Sequence, residues 1–244
     1  MTGARDFALL LRWQVLRQRQ FIPLLIAIQI ALGVGVIYGF SFLVPHVTPT
    51  VALYFATGAP TLSILIIGLN IVPQETSQGR TSGRLEYVSA LPVRRVVPML
   101  SDVTFWLLIQ LPGTIVTLLL ANAKFSIHLH LGLLLLVAMA LVSLTAASVG
   151  YALAIAMPPT VANQVTAFLG IALLLYSPIN FPLSRLPDWL QDVHRVLPVT
   201  YMADIIRGSL TGKYDANAGL AFGVVSAWCL AGLSLSARAA ARRH

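Results

Sequence analysis

Two histidines, His128 and His130, are spaced so that they could share a metal ion. Zinc sites in proteins use three or four protein ligands, and two imidazoles would leave a tetrahedral site half empty. We therefore predict no metal site in this chain. We interpret both residues, together with His46 and His194, as solvated loop histidines.

Motifs that bind nucleotides or activate a nucleophile are absent from the sequence. It has no G-x-x-x-x-G-K-[ST] phosphate loop, no H-E-x-x-H, no G-x-S-x-G and no cluster of paired carboxylates. The single cysteine, Cys229, lies in an apolar run and cannot build a disulfide framework. We therefore predict that the chain is not an enzyme and needs no cofactor of its own.

Only one charged residue, Asp102, lies well inside an apolar run, and it is within about two helical turns of the end of that run. Ion-coupled transporters place ionisable residues near the middle of the membrane. We interpret Asp102 as an interfacial residue whose charge Arg94 and Arg95 could offset. The neutral polar residues of the apolar runs are interpreted as contacts between helices. They are Gln29, Gln110, Asn163 and Gln164.

The composition is that of an integral membrane protein. Of the 244 residues, 57% are hydrophobic and 10% are charged, and the mean hydropathy is +0.83. Soluble domains carry about 25% charged residues. The net charge of +8 falls at the edges of the apolar runs, without a nucleic-acid-binding module, and therefore indicates membrane orientation.

Six apolar runs are long enough to cross a bilayer, which requires about 20 helical residues. We predict an all-α membrane protein that forms one transmembrane domain over residues 1–244. The predicted spans are residues 23–44, 51–72, 98–121, 131–157, 161–177 and 218–236.

The distribution of basic residues predicts that both termini are cytoplasmic. On the side of the two termini, four arginines precede the first span, four lie between the second and third spans, none lies between the fourth and fifth, and three follow the sixth. On the opposite side, the three connections between spans hold none, one and four basic residues, in chain order. The last four are offset by four aspartates. Short loops rich in Lys and Arg remain on the cytoplasmic side.

Residues 1–20 are predicted to form an interfacial helix on the inner leaflet. Arg5, Arg12 and Arg19 would share one side of this helix, while apolar residues such as Phe7 and Leu11 face away. The alternative is a basic flank that only fixes the topology.

Residues 74–98 form a long polar segment between the second and third apolar runs. A short helix is predicted within it, with Ser82 as a possible N-cap and Pro92 ending it after Leu91. Leu85, Val88 and Leu91 would share an apolar side. Such a helix, held out of the membrane, suits a groove on another protein, although a solvated loop without a partner is the alternative.

Residues 178–212, between the fifth and sixth runs, are predicted to form an external hairpin of two short helices. Residues 187–197 show helical apolar spacing and are too few to span a bilayer. A second helix is expected to begin after Thr200 and end at Gly208, with Asp204 and Arg207 paired one turn apart. The hairpin would lie at, or fold back into, the outer membrane surface.

Two segments give the chain its resemblance to the permease subunit of ABC-2 type transporters. The first is GRLEYVSALPV at residues 83–93, where the family commonly has Gly-Thr-Leu-Glu followed by Leu-Pro, with Arg84 in place of Thr. The second, residues 177–208, has a proline break, Phe-Pro-Leu, a Leu-Pro-x-Trp-Leu helix, Pro-x-Thr-Tyr and an Asp-x-x-Arg pair. The resemblance covers nearly the whole chain.

The resemblance implies that the helix between spans two and three couples the permease to a separate ATPase subunit. The residues expected to dock there are Glu75, Gly83, Arg84, Leu85, Glu86, Val88, Leu91 and Pro92. The residues expected to form the external hairpin are Pro178, Phe181, Pro182, Pro187, Trp189, Leu190, Pro198, Tyr201, Asp204 and Arg207. ATP and Mg²⁺ would bind the partner ATPase.

The implied function is export of an amphipathic substrate, such as a drug, a lipid or a lipid-linked glycan, across a bacterial inner membrane. The expected partners are ABC ATPase subunits, a second permease copy or a similar permease, and membrane lipids, without nucleic acid. A secondary transporter or channel, a membrane enzyme and a scaffold that anchors an ATPase are the alternatives.

Overall fold

The computed structural model describes residues 3–44, 47–93, 96–127, 130, 132–214 and 217–241. Within these residues the regular elements are helices, and no strand is present. Six helices are long and apolar enough to cross a membrane. The predicted all-α architecture with six membrane spans is therefore confirmed.

Ten helices are numbered here in chain order, and α2, α3, α5, α6, α7 and α10 contain the six spans. They are α1 (Gly3–Gln18), α2 (Ile22–Leu43), α3 (Pro49–Thr81), α4 (Arg84–Ala90), α5 (Val96–Phe125), α6 (Leu133–Ala156), α7 (Pro159–Tyr176), α8 (Asp188–Val196), α9 (Pro198–Thr211) and α10 (Ala218–Ala241).

Helix α3 lies at the centre of the bundle. Its apolar window is 72% buried, whereas the windows of α2, α7 and α10 are only 17–22% buried. It packs against α5, α6, α7 and α9, and α10 packs on the far side of α6. The contact of α3 with α6 is close because Gly68 and Gly150 meet where a Cβ on either would collide with the other helix.

Helix α3 continues well past the predicted end of the second span at residue 72 and ends at Thr81. The polar residues 74–81 are therefore helical, which the sequence analysis did not predict. The guanidinium of Arg80 donates to the carbonyl oxygens of Ala154 (2.5 Å) and Met157 (2.7 Å), at the end of α6. These last carbonyls of a helix lack partners of their own, so the contact stabilises both helices.

Helix α4 lies within the predicted range of residues 83–91, but its predicted N-cap is wrong. Ser82 ends α3, and Gly83 precedes α4 in the left-handed conformation with φ of 72°. This conformation turns the chain sharply between the two helices and favours glycine. The backbone therefore folds α4 back beside the end of α3.

Helices α8 and α9 follow a short 3₁₀ turn, Leu183–Arg185. The predicted start of α9 after Thr200 and its end at Gly208 are both wrong: α9 begins at Pro198 and ends at Thr211, followed by Gly212 with φ of 67°. Gly208 instead makes room for the ring of Tyr214. Most of α9 is buried against α3, α6 and α10.

Helix α1 packs on α5 through a polar side, in which Asp6, Gln14 and Gln18 are buried. Its exposed side carries the large apolar residues Leu9, Trp13, Val15 and Leu16. Arg5, Arg12 and Arg19 are exposed as well, so the outer surface mixes apolar and basic side chains, as in a helix at a lipid boundary. Its location on the inner leaflet stays a prediction.

Candidate functional site

A cluster of polar side chains joins four helices at the end of the bundle predicted to be cytoplasmic. We call Gln14, Arg17, Glu75, Arg84 and Asp102 the cytoplasmic joint. A carboxylate oxygen of Glu75, on the extension of α3, lies 3.1 Å from the guanidinium of Arg17 and 3.8 Å from that of Arg84. The three side chains are only 18–27% exposed, so water screens their charges weakly.

Arg84 is the first residue of α4, and its side chain points inward, toward α3. Its guanidinium donates to the backbone carbonyl oxygen of Glu75 at 2.7 Å, and Gly79 leaves the space that the guanidinium occupies. Burial lowers the pKa of Arg84, and Arg17 lowers it further, whereas Glu75 and Asp102 raise it. Arg84 thus fixes α4 to α3.

Asp102 receives a 2.5 Å hydrogen bond from the amide of Gln14, which connects α5 to α1. The sequence analysis expected Arg94 and Arg95 to offset this carboxylate, but both lie outside the described residues. The residues beside it are instead Gln14 from α1 and, through their charges, Arg17 and Arg84.

The side of α4 that points away from the bundle is formed by Glu86, Tyr87 and Ala90, which are exposed. Val88 and Leu91, predicted to dock on a partner, are half-buried. Pro92 is exposed, and the side chain of Leu85 lies outside the described part of the chain. Tyr87, which is 65% exposed, was not singled out by the sequence analysis. Tyrosine is one of the residues that are enriched at protein–protein interfaces.

The opposite end of the bundle is held by Arg207 of α9. Its guanidinium bonds to Asp204 at 2.7 Å, to the carbonyl oxygen of Ile179 at 3.0 Å and to the hydroxyl of Thr57 at 3.3 Å. It also lies 4.0 Å from the ring centroid of Tyr54. Arg207 therefore links the predicted hairpin to α3, and the expected pairing of Asp204 with Arg207 is present.

The other residues predicted for the hairpin do not form one site. Trp189 and Pro187 are exposed, and Leu190 is half-buried. The hydroxyl of Tyr201 donates to the carbonyl oxygen of Arg195 at 2.9 Å, which joins α9 to α8. Pro178 and Pro198 are buried, and Phe181 and Pro182 are half-buried.

The prediction that His194 is solvated is wrong, because it is 5% exposed. Its Nε2 lies 3.1 Å from the carbonyl oxygen of Tyr176, and Nδ1 is buried without a hydrogen-bond partner. Burial lowers the pKa of His194, while the bond to Tyr176 raises it. His130 is exposed, and His46 and His128 lie outside the described residues.

The profile of one protein family, described as ABC-2 type transporter, matches residues 6–211. The chain belongs to this family. The match includes most of α1, the cytoplasmic joint, α4 and the segment from α7 to α9. No curated protein matches the chain.

Membership makes this protein the permease component of an ABC-type transporter, a multi-pass membrane protein that is not itself catalytic. It also implies an ABC ATPase as partner. The resemblance described above is therefore confirmed, while the roles of individual residues stay predictions.

Proposed function

We propose that this permease exports an amphipathic substrate and is driven by a separate ATPase subunit that docks on α4. The observation that carries the proposal is the two-sided character of this short helix. Arg84 fixes its inner side to α3, while Glu86, Tyr87 and Ala90 form an exposed outer side. A helix that is firmly held on one side and exposed on the other can receive a force and transmit it.

The transmission would run through α3, because α3 is continuous from the centre of the bundle to Thr81. Arg80 joins this extension to the end of α6, and Glu75 joins it to Arg17 of α1. Movement of α4 would therefore displace three helices together. The coupling energy must come from different affinities of the ATP-bound and ATP-free ATPase for two arrangements of the permease. ATP and Mg²⁺ would bind that ATPase.

The amphipathic nature of the substrate is inferred from the charges within the spans. In the described spans, charged residues lie near helix ends, with Asp102 and Glu75 at one end and Lys124 at the other. Small ions usually need ionisable partners near the middle of the membrane. The remaining polar groups, such as Gln110 hydrogen-bonded to Ser143, connect helices.

A second permease copy is part of the proposal. The apolar windows of α2, α7 and α10 are only 17–22% buried within one chain, so their surfaces must contact lipid or another chain. A path along the interface of two copies would let the substrate pass between them. The direction, outward from a bacterial cytoplasm, follows the resemblance.

The test is the ATPase activity of the complex reconstituted with its ATPase subunit in liposomes, measured with and without amphipathic drugs. Glu86→Arg reverses a charge on the exposed side of α4, and we expect it to abolish stimulation by a transported drug. Asp188→Arg, an equal charge reversal on α8, is the matched control and should retain stimulation. Full stimulation in Glu86→Arg would contradict docking on α4, and transport without the ATPase subunit would contradict an ATP-driven exporter.

A further inference from the structure

A cavity of about 240 Å³ lies at the end of the bundle predicted to be external. Its walls come from the end of α2, the beginning of α3 and the segment that follows α7. Pockets that enclose a whole drug-sized molecule measure about 300–1,000 Å³. This cavity is therefore suited to one part of an amphipathic molecule.

The walls of the cavity are aromatic and aliphatic. Phe40 and Phe55 stack with their ring centroids 5.8 Å apart, and Val51 and Phe181 complete the apolar lining. Arg207 holds two of the walls in place, because it bonds to the carbonyl oxygen of Ile179 and lies over the ring of Tyr54. The cavity is thus preformed, and an alkyl chain is the group that such walls accept.

Two polar residues also line the cavity. Arg185 is exposed, and among the described residues no carboxylate lies within ion-pairing distance of it. The neighbouring cation, Lys124, is already occupied: it donates to Ser41 and lies 4.0 Å from the ring centroid of Tyr38. Arg185 is therefore the cation at this cavity that can bind an anionic group.

Asn180 is only 2% exposed, and its Oδ1 is buried without a hydrogen-bond partner. This oxygen packs against Gly58 of α3, where an added Cβ would collide with it, so it faces α3 and not the cavity. The cavity therefore combines an apolar wall with a cation at its edge.

The location of the cavity indicates which kind of molecule can fill it. Phe42 and Leu43, beside the cavity at the end of α2, are 83% and 75% exposed. Exposed apolar side chains at the end of a span contact lipid or another chain, and of these two an anionic lipid would also supply a phosphate to Arg185. A ligand can consequently enter from the membrane.

We propose that this cavity binds an anionic phospholipid, such as phosphatidylglycerol. Part of one acyl chain lies against Phe40 and Phe55, and the phosphate binds Arg185. The site does not depend on the transport function proposed above, because it needs neither an ATPase nor a substrate path.

Native mass spectrometry of the purified permease in detergent tests the proposal by titration with phosphatidylglycerol and phosphatidylcholine at low ionic strength. Wild type should retain the anionic lipid preferentially. Because one exposed charge contact contributes modestly, Arg185→Gln should weaken this preference by roughly two- to fivefold. Val51→Trp, which fills the cavity, should reduce binding of both lipids.

Arg195→Gln is the matched control, because Arg195 is an exposed arginine of the same segment that pairs with Asp192 instead of lining the cavity. Its lipid binding should equal that of wild type. Equal binding by wild type, Arg185→Gln and Val51→Trp would overturn the proposal, because the lipid would then cover the protein surface nonspecifically.

Discussion

The two ends of the bundle use arginine in different ways. At the cytoplasmic joint, Arg17 and Arg84 share one carboxylate, that of Glu75, and the three residues come from α1, α4 and α3. At the opposite end, Arg207 alone bonds to three different partners and stacks on Tyr54. One end therefore connects helices through two arginines that share a carboxylate, and the other end fixes several segments to one arginine.

This difference indicates which end can rearrange. Arg84 bonds to the backbone carbonyl oxygen of Glu75 as well, so α4 and the end of α3 move as one unit. The ion pair between Glu75 and Arg17 of α1 involves side chains alone and can lengthen without breaking a backbone contact. Arg207 has no such alternative, because its backbone acceptor and its aromatic partner must move together. We infer that the cytoplasmic joint is the adjustable end of the permease and that the Arg207 contacts are its fixed end.

The largest expected effect on stability is at the fixed end. Arg207→Ala removes charge-assisted hydrogen bonds and a cation–π contact, and should lower the free energy of unfolding by about 2–4 kcal/mol. Thermal unfolding of the purified permease measures this change. Arg207→Lys should recover only part of it, because an ammonium group cannot reach all the same acceptors at once. If Arg207→Ala lowered the free energy of unfolding by less than Glu75→Gln does, the assignment of the fixed end would be contradicted.

Glu75→Gln should have a smaller effect on stability and a larger effect on coupling. The two arginines would keep their positions without a shared anion, which we expect to cost about 1–3 kcal/mol for side chains that are mostly buried. Drug-stimulated ATPase activity of the reconstituted complex should fall sharply, whereas Arg207→Ala should retain stimulation in its folded fraction. The assignment of an adjustable and a fixed end would be wrong if Arg207→Ala abolished drug-stimulated ATPase activity and Glu75→Gln did not.

The smallest of these effects concerns pH. The pKa of His194 is lowered in the folded protein, so the unfolded chain binds a proton more readily than the native state does. The stability contribution of neutral His194 is present above the ordinary pKa near 6.5 and is lost as the pH falls below it, by at most about 1.4 kcal/mol per pH unit. Unfolding measured at several pH values should show a weaker pH dependence in His194→Gln. An identical dependence in both proteins would contradict the buried, neutral state.

The spans and the short helices could be predicted from the sequence, because their signals are local. A run of about 20 apolar residues identifies a membrane span, and Pro92 or Pro198 marks a helix boundary by sterics alone. The existence of α4 and α8 followed from the same kind of signal. The family also showed in two short motifs.

The joint could not be predicted, because its contacts depend on the tertiary structure. Gln14 and Asp102 are 88 residues apart, and no spacing pattern connects them. Residues 74–81 looked like a loop because they are polar, but Arg80 stabilises them as helix through contacts with the end of α6. The polar side of α1 would have been a usable signal, since Gln14 and Gln18 are four residues apart and interrupt its apolar pattern.

Gly208 and His194 show a further limit of sequence reasoning. A glycine near a helix end suggests a C-cap, but Gly208 is required for packing against Tyr214, and the left-handed residue is Gly212. A histidine on a short amphipathic helix suggests a solvated side chain, but a single backbone carbonyl oxygen, that of Tyr176, binds it in the interior. The positions of Gly208 and His194 therefore depend on Tyr214 and Tyr176, which lie outside the helices that contain them.

The central claim, that the exposed side of α4 docks on an ATPase subunit, is tested most directly by cysteine accessibility. Tyr87→Cys and Trp189→Cys, in a Cys229→Ala background, place thiols at positions with 65% and 68% exposure in the native residues, at opposite ends of the bundle. We would measure the rate of labelling by a membrane-impermeant maleimide in inside-out vesicles, with and without the ATPase subunit. We expect the Tyr87→Cys thiol to react without the subunit and to be slowed several-fold by it, while the Trp189→Cys thiol stays unlabelled in both cases. Equal labelling of the Tyr87→Cys thiol with and without the ATPase subunit would contradict docking on α4.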